Sequence, residues 1–175
     1  AAADPATGSA LLGVGFADIV SFTRLSRRME GTALADFVER FESTTTALVA
    51  ELGGRVIKTL GDEVLFVTED PVAATEMALS VATLSEDDPE FPRVRVGIAY
   101  GEVISRLGDV FGTPVNMAAR LTAIAHPGTV LCDPSLADAL PDDVYSVQHL
   151  RPRPLQGLGR VRPTVVRHRR QRNHT

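Results

Sequence analysis

The sequence predicts an α+β sandwich in which strands are interleaved with helices packed on one side of a sheet. Three observations carry that class. Short apolar runs of strand length recur at residues 11–17, 55–60, 63–67, 94–103 and 129–132. Between them, Gly31 to Leu52 places Leu34, Phe37, Val38, Phe41, Thr45, Leu48, Val49 and Leu52 on one helical stripe, opposite Asp36, Glu39, Arg40 and Glu42. Glycine and proline mark the boundaries, at Gly53-Gly54, Gly61-Asp62, Pro71, Pro114 and Pro127-Gly128.

Taken in order, residues 1–10 read as a linker, and the chain's start at Ala-Ala-Ala-Asp suggests a processed chain or a piece of a longer one. Leu11 to Ala17 is apolar enough for a buried strand that ends in Asp18, and Ser21 or Thr23 is suited to capping the helix that follows. A carboxylate beside a helix N-terminus makes a corner for a cation and an anion, with the backbone N–H groups of Ile19 to Thr23 facing phosphate oxygens. The segment from Arg55 to Val67 reads as a β-hairpin turning at Gly61-Asp62. Its Lys58 breaks the first apolar run. Pro71 to Leu84 forms a second helix, with Val72, Met77, Val81 and Leu84 inward, and Ser85 to Glu90 a solvated connection.

Val94 to Val103 is a central strand, with Ile104 to Phe111 its hairpin partner. Pro114 opens a helix over Val115 to Ala125, on which Asn116 and Arg120 stand four apart and so share a face. Thr129 to Cys132, Tyr145 to His149 and Thr164 to Val166 are short strands, with a small helix at Pro134 to Leu140. The basic stretch from residue 167 to 175 is a solvated tail. The result is one domain over residues 11–166.

Composition narrows the function. A net charge of −4 in 175 residues argues against a generic nucleic-acid binder, which needs clustered basic side chains. Cys132 is the only cysteine, so no internal disulfide forms, and its apolar neighbours predict a buried thiol in a cytoplasmic setting. No apolar run reaches the length of a spanning helix, which predicts no membrane contact. His126, His149, His168 and His174 lack partners at zinc spacing, and neither a Walker-type loop nor a Gly-x-Ser-x-Gly turn is present.

Two strand-end aspartates, Asp18 and Asp62, supply the hard oxygen donors that magnesium needs. Three stretches carry a further signal: Phe16 to Thr23, Lys58 to Asp62, and Asp109 to Arg120. In this order and spacing they resemble the catalytic domain of class III nucleotidyl cyclases, most like bacterial adenylate cyclases. The resemblance spans Leu11 to Val166.

It implies a ferredoxin-like core of the class III cyclase type and a homodimer whose two sites lie at the shared interface. Asp18, Asp62 and the Ile19 carbonyl would hold two Mg2+ or Mn2+ ions per site. Lys58 and Asp109 would read adenine, Asn116 would orient the ribose, and Arg120 would meet the phosphates in the transition state. Phe22 and Thr23 would lie at the substrate phosphates. Gln156 stands where many family members carry a triphosphate-binding lysine. The implied substrate is ATP and the product cyclic AMP. A guanylate cyclase and a non-catalytic nucleotide-sensing dimerisation module are the alternatives. A diguanylate cyclase is disfavoured, because its full Gly-Gly-Asp/Glu-Glu-Phe hairpin is missing.

Overall fold

The computed structural model describes residues 7–170. Its centre is an antiparallel pair, β1 (Thr7–Ile19) and β4 (Val94–Arg106), in register from Thr7 opposite Arg106 to Ile19 opposite Val94. The hairpin of β2 (Arg55–Thr59) and β3 (Glu63–Thr68) adds to the free side of β1. Its turn passes through Gly61 at φ 75°, a conformation that favours glycine. Beyond β4 lie β6 (Val130–Cys132), β10 (Thr164–His168) and β7 (Tyr145–His149), giving the order β2-β3-β1-β4-β6-β10-β7. The β4–β6 pair is parallel and the other pairs are antiparallel. The eighth strand, β5 (Asp109–Phe111), pairs with the far end of β4.

Helices cover both faces, where one-sided packing was expected. Phe41 and Val49 of α2 (Thr32–Glu51) and Met77, Ala78 and Val81 of α3 (Pro71–Ala82) share a cluster with Ala17, Ile19, Val64, Phe66, Val96 and Ile98. The alternate residues Leu12, Val14, Phe16, Leu65 and Val67 face the other way, toward Ala118 of α5 (Thr113–Ile124). Sheet alternation thus serves two cores. Truncating a fully buried phenylalanine such as Phe41 or Phe66 to alanine costs about 3–5 kcal/mol. Gly97 seats α5 on β4: a Cβ there would stand 2.4 Å from Thr122 N and 2.5 Å from the Ala118 carbonyl. The class remains α+β, and Cys132 is buried as expected.

Several boundaries differ from the sequence reading. Strand β1 starts at Thr7, so residues 7–10 pair with β4, while residues 1–6 of the expected linker lie outside the described part. Strand β10 extends through Arg167 and His168, and residues 171–175 of the expected tail lie outside as well. The acidic connection contains a short helix, α4 (Leu84–Asp87). The partner of β4 is only the short β5, because Leu107 and Gly108 make the turn at positive φ. Two strands were not anticipated, β8 (Arg153–Leu155) and β9 (Gly159–Val161), which form a separate hairpin. The remaining helices are α1 (Phe22–Arg28) and α6 (Pro134–Asp138).

Candidate active site

Antiparallel pairing brings Asp18 and the Gly61-Asp62 turn to one corner. Asp18 lies opposite Glu63 of β3, and the Ile19 N–H donates to the Asp62 carbonyl at 2.9 Å. On its other side Asp18 lies opposite Arg95 of β4. The Arg95 guanidinium donates to Asp18 Oδ2 from Nε at 3.1 Å and from Nη2 at 2.9 Å, and its Nη1 reaches the Ala123 carbonyl at 2.8 Å. One arginine therefore ties the carboxylate to the last turn of α5. The Asp18 side chain is 17% exposed, so this pair is screened less than a surface ion pair. Burial pushes the Asp18 carboxyl up from its ordinary value, Arg95 pulls it back, and the nearby Asp62 adds to the rise. Glu63 is raised for the same reasons, burial first and then Asp18 and Asp62.

A second group forms where the β4–β5 turn comes back toward β2. Lys58 Nζ donates to Asp109 Oδ2 at 3.1 Å, and the Val110 N–H donates to Asp109 Oδ1 at 2.8 Å. These bonds, the backbone one foremost, hold the Asp109 carboxyl below its ordinary value. Lys58 and Asp109 are thus a joined pair, although 51 residues separate them.

The other predicted residues form no side-chain hydrogen bond or ion pair with either group among the described residues. Asn116 and Arg120 lie exposed on α5, and neither forms a side-chain hydrogen bond or ion pair with another described residue. Gln156 is exposed between β8 and β9, near the exposed Arg153 and Arg160. Phe22 packs against the α2–α3 core and Thr23 is exposed at the start of α1. The phosphate-facing backbone needs correction. The Ile19 and Val20 N–H groups are taken by the Asp62 and Arg93 carbonyls, leaving only Ser21 onward for a ligand. Ser21 precedes α1 at φ 60° and makes no side-chain capping bond.

Arg95, which braces Asp18, is the site neighbour that the sequence reading missed. Nothing local marks it, because its partner is 77 residues away and becomes adjacent only through the β1–β4 register.

The chain matches the family described as the adenylate and guanylate cyclase catalytic domain over residues 7–167. It belongs to that family, the class III nucleotidyl cyclases. It is 43% identical over 185 residues to an adenylate cyclase of Streptomyces coelicolor, covering 90% of this chain and 49% of that protein. An adenylate cyclase of Glutamicibacter nicotianae is 46% identical over 153 residues, covering 86% and 38%. The chain therefore spans less than half the length of these relatives. Among solved structures, the adenylyl cyclase CyaB from P. aeruginosa has a TM-score of 0.85 at 22% identity, over 94% of this chain and 97% of that one. The catalytic core of a rhodopsin-guanylyl cyclase with converted specificity, in complex with ATPalphaS, gives the same score and identity over 94% and 99%. Likeness at this identity establishes the fold. No helix among the described residues is long and apolar enough to cross a membrane.

The family depends on divalent metal, and the corner fits such an ion. Its donors are hard oxygens, and a cation between Asp18 and Asp62 would offset both the burial of the Asp18 carboxylate and its repulsion from Asp62. Among the described residues no three His, Cys, Asp or Glu side chains converge into a cage. Two carboxylates therefore need backbone, water or phosphate oxygens to complete a shell, as magnesium sites at nucleotides commonly do.

Proposed function

We propose that the chain is the catalytic unit of an adenylate cyclase, converting ATP to 3',5'-cyclic AMP and pyrophosphate at two sites shared by a homodimer. The observation that carries the choice of base is the Lys58–Asp109 pair at 3.1 Å. It sets a hydrogen-bond donor beside an acceptor, matching adenine N1 and the adenine amino group. Guanine presents N1–H to the lysine and O6 to the carboxylate, leaving polar groups unpaired. Within the chain the two side chains satisfy each other.

Two Mg2+ or Mn2+ ions, held by Asp18, Asp62 and the Ile19 carbonyl, would supply Lewis-acid stabilisation of the attacking and leaving oxygens. The chain's own groups provide the rest. Arg95 holds Asp18 through one oxygen, Oδ2, only. From the partner protomer, Lys58 and Asp109 hold the base and Asn116 orients the ribose. Arg120 meets negative charge on the reacting phosphate, a role worth about 100- to 10,000-fold in rate for a transition-state donor. Phe22 and Thr23 flank the phosphates, and Gln156 adds an uncharged donor to the triphosphate. In the reaction the ribose 3'-oxygen bonds to the α-phosphorus, the bond to the pyrophosphate oxygen breaks, and the hydroxyl proton passes to solvent. That Asn116 and Arg120 are exposed, with no side-chain hydrogen bond or ion pair to another described residue, supports a site completed by a second copy.

Turnover of manganese-ATP and manganese-GTP, followed across protein concentration, tests this reading. ATP should be favoured by about 10-fold or more in kcat/KM, the effect of one or more mispaired polar groups. Specific activity should rise with concentration to a plateau. Equal turnover overturns the base assignment, and no cyclic nucleotide from either substrate makes the chain a non-catalytic module.

A further inference from the structure

Lys58 is the single lysine among the chain's 18 lysine and arginine residues, and it interrupts a strand that is otherwise apolar through its middle. The register of β2 on β3 explains how it reaches Asp109. Val56 pairs with Phe66 and Lys58 with Leu65, so Ile57 is an extra residue and the ladder carries a β-bulge there. A bulge sends two successive side chains to one side of the sheet, whereas regular alternation sends them to opposite sides. Val56 packs with the α2–α3 core, and Ile57 packs with the α5-side core that holds Leu65 and Val110. Regular alternation after Ile57 would turn Lys58 back to the side of Val56, away from Asp109. The bulge keeps it on the side of Ile57, where Nζ meets Asp109 Oδ2.

The other half of the pair is fixed by the same cluster. Val110 is 4% exposed in that core, and its N–H holds Asp109 Oδ1 at 2.8 Å. Ile57, Asp109 and Val110 line one cleft between β2 and the β4–β5 turn. The two base-reading side chains thus come from distant strands, and an apolar core beneath them sets their spacing.

We propose that Ile57 is a positioning residue for base selection: by anchoring the β2 bulge in the Val110 cluster it holds Lys58 and Asp109 at the separation that adenine matches. This rests on the adenylate reading above. Ile57 itself touches no substrate.

The test compares Ile57→Ala, Ile57→Val and the unaltered protein by two readouts. The first is the ratio of kcat/KM for manganese-ATP to that for manganese-GTP. The second is a zero-length carbodiimide cross-link between Lys58 and Asp109, mapped by mass spectrometry and unambiguous because the chain has one lysine. Ile57→Ala should lower the ratio about 10-fold through KM for ATP, the scale of one mispaired hydrogen bond. The cross-link should fall with it, and Ile57→Val should restore both. Val110→Ala, which loosens the same cluster from the β5 side, should repeat the effect if Ile57→Ala fails to fold. A folded Ile57→Ala or Val110→Ala with the original ratio and cross-link overturns the proposal, as does an equal loss on both nucleotides. If the unaltered protein turns over both nucleotides alike, the adenylate reading fails first. The cross-link then decides the placement alone: dependence on Ile57 sustains it, and independence overturns it.

Discussion

The acidic corner and the exposed face of α5 hold their proposed functional side chains in opposite ways. At the corner Asp18 is mostly buried, tied to Arg95 through two hydrogen bonds, and braced by the backbone bond from Ile19 to Asp62. On α5, Asn116 and Arg120 are exposed and without side-chain partners among the described residues. Burial raises the Asp18 carboxyl, Arg95 pulls it back and Asp62 adds to the rise, so the first region is already balanced within one chain. The second spends nothing on internal pairing, which suits side chains that meet their target on another molecule. Arg95 connects the two, because the guanidinium that holds Asp18 also caps the Ala123 carbonyl at the end of α5.

The largest effects should come from removing one residue of each region. Asp18→Ala and Arg120→Ala should each lower kcat by about 1,000-fold or more, the first by loss of the proposed metal ligand and the second by loss of the proposed transition-state charge partner. Their stabilities should diverge. Arg120→Ala, at an exposed site, should leave the denaturation midpoint unchanged, whereas Asp18→Ala leaves Arg95 unpaired and should lower it.

Arg95→Ala breaks the brace while keeping every predicted ligand. The manganese concentration for half-maximal activity should rise about 10-fold, in line with the cost of losing a partner that orients a metal ligand. An unchanged manganese requirement would reduce Arg95 to a packing role.

The register of β1 on β4 explains why this brace was hidden while its ligand was legible. Asp18, Lys58, Asp62, Asp109, Asn116 and Arg120 sit in short stretches whose residue types carry their own signal. The long stripe from Leu34 to Leu52 likewise announces α2 by its period. Arg95 has meaning only once two strands are aligned, and the bulge at Ile57 only once β2 is laid on β3. The second helical face escaped for a similar reason: β1 and β4 are apolar on both sides, and a sequence run does not say which helix covers which side. The strands β8 and β9 are three residues each, below the length at which alternation can be read.

A smaller effect is expected at the exposed β8–β9 turn. Gln156→Lys should lower KM for manganese-ATP several-fold, because charge-assisted bonds are roughly twice as strong as neutral ones, with little change in base preference. An unchanged KM there, together with a large rise in Arg160→Ala, would assign the missing charge to the arginine.

Asp133 is the control for a buried carboxylate with a purely structural task. It accepts from the Leu136 N–H at 3.0 Å and the Tyr100 N–H at 3.3 Å, capping α6, while burial pushes its carboxyl up from 3.8 to about 6. The folded state therefore binds this proton more tightly than the unfolded state. Stability should fall as pH rises from about 4 to about 6 and then level, by on the order of 3 kcal/mol for this group alone. Asp133→Asn keeps the acceptor and should flatten that slope in urea titrations. Activity per folded molecule should not change.

The central claim is that each site draws its acidic corner from one protomer and its α5 face from the other. Mixing Asp18→Ala with Arg120→Ala tests it directly. In a mixed dimer both lesions fall in one site and the second site is whole, so cyclic AMP production should recover toward about one-quarter of the unaltered activity, from half the dimers carrying one intact site each. If mixed dimers form and the mixture stays inactive, each site lies within a single protomer and the shared-site account is wrong.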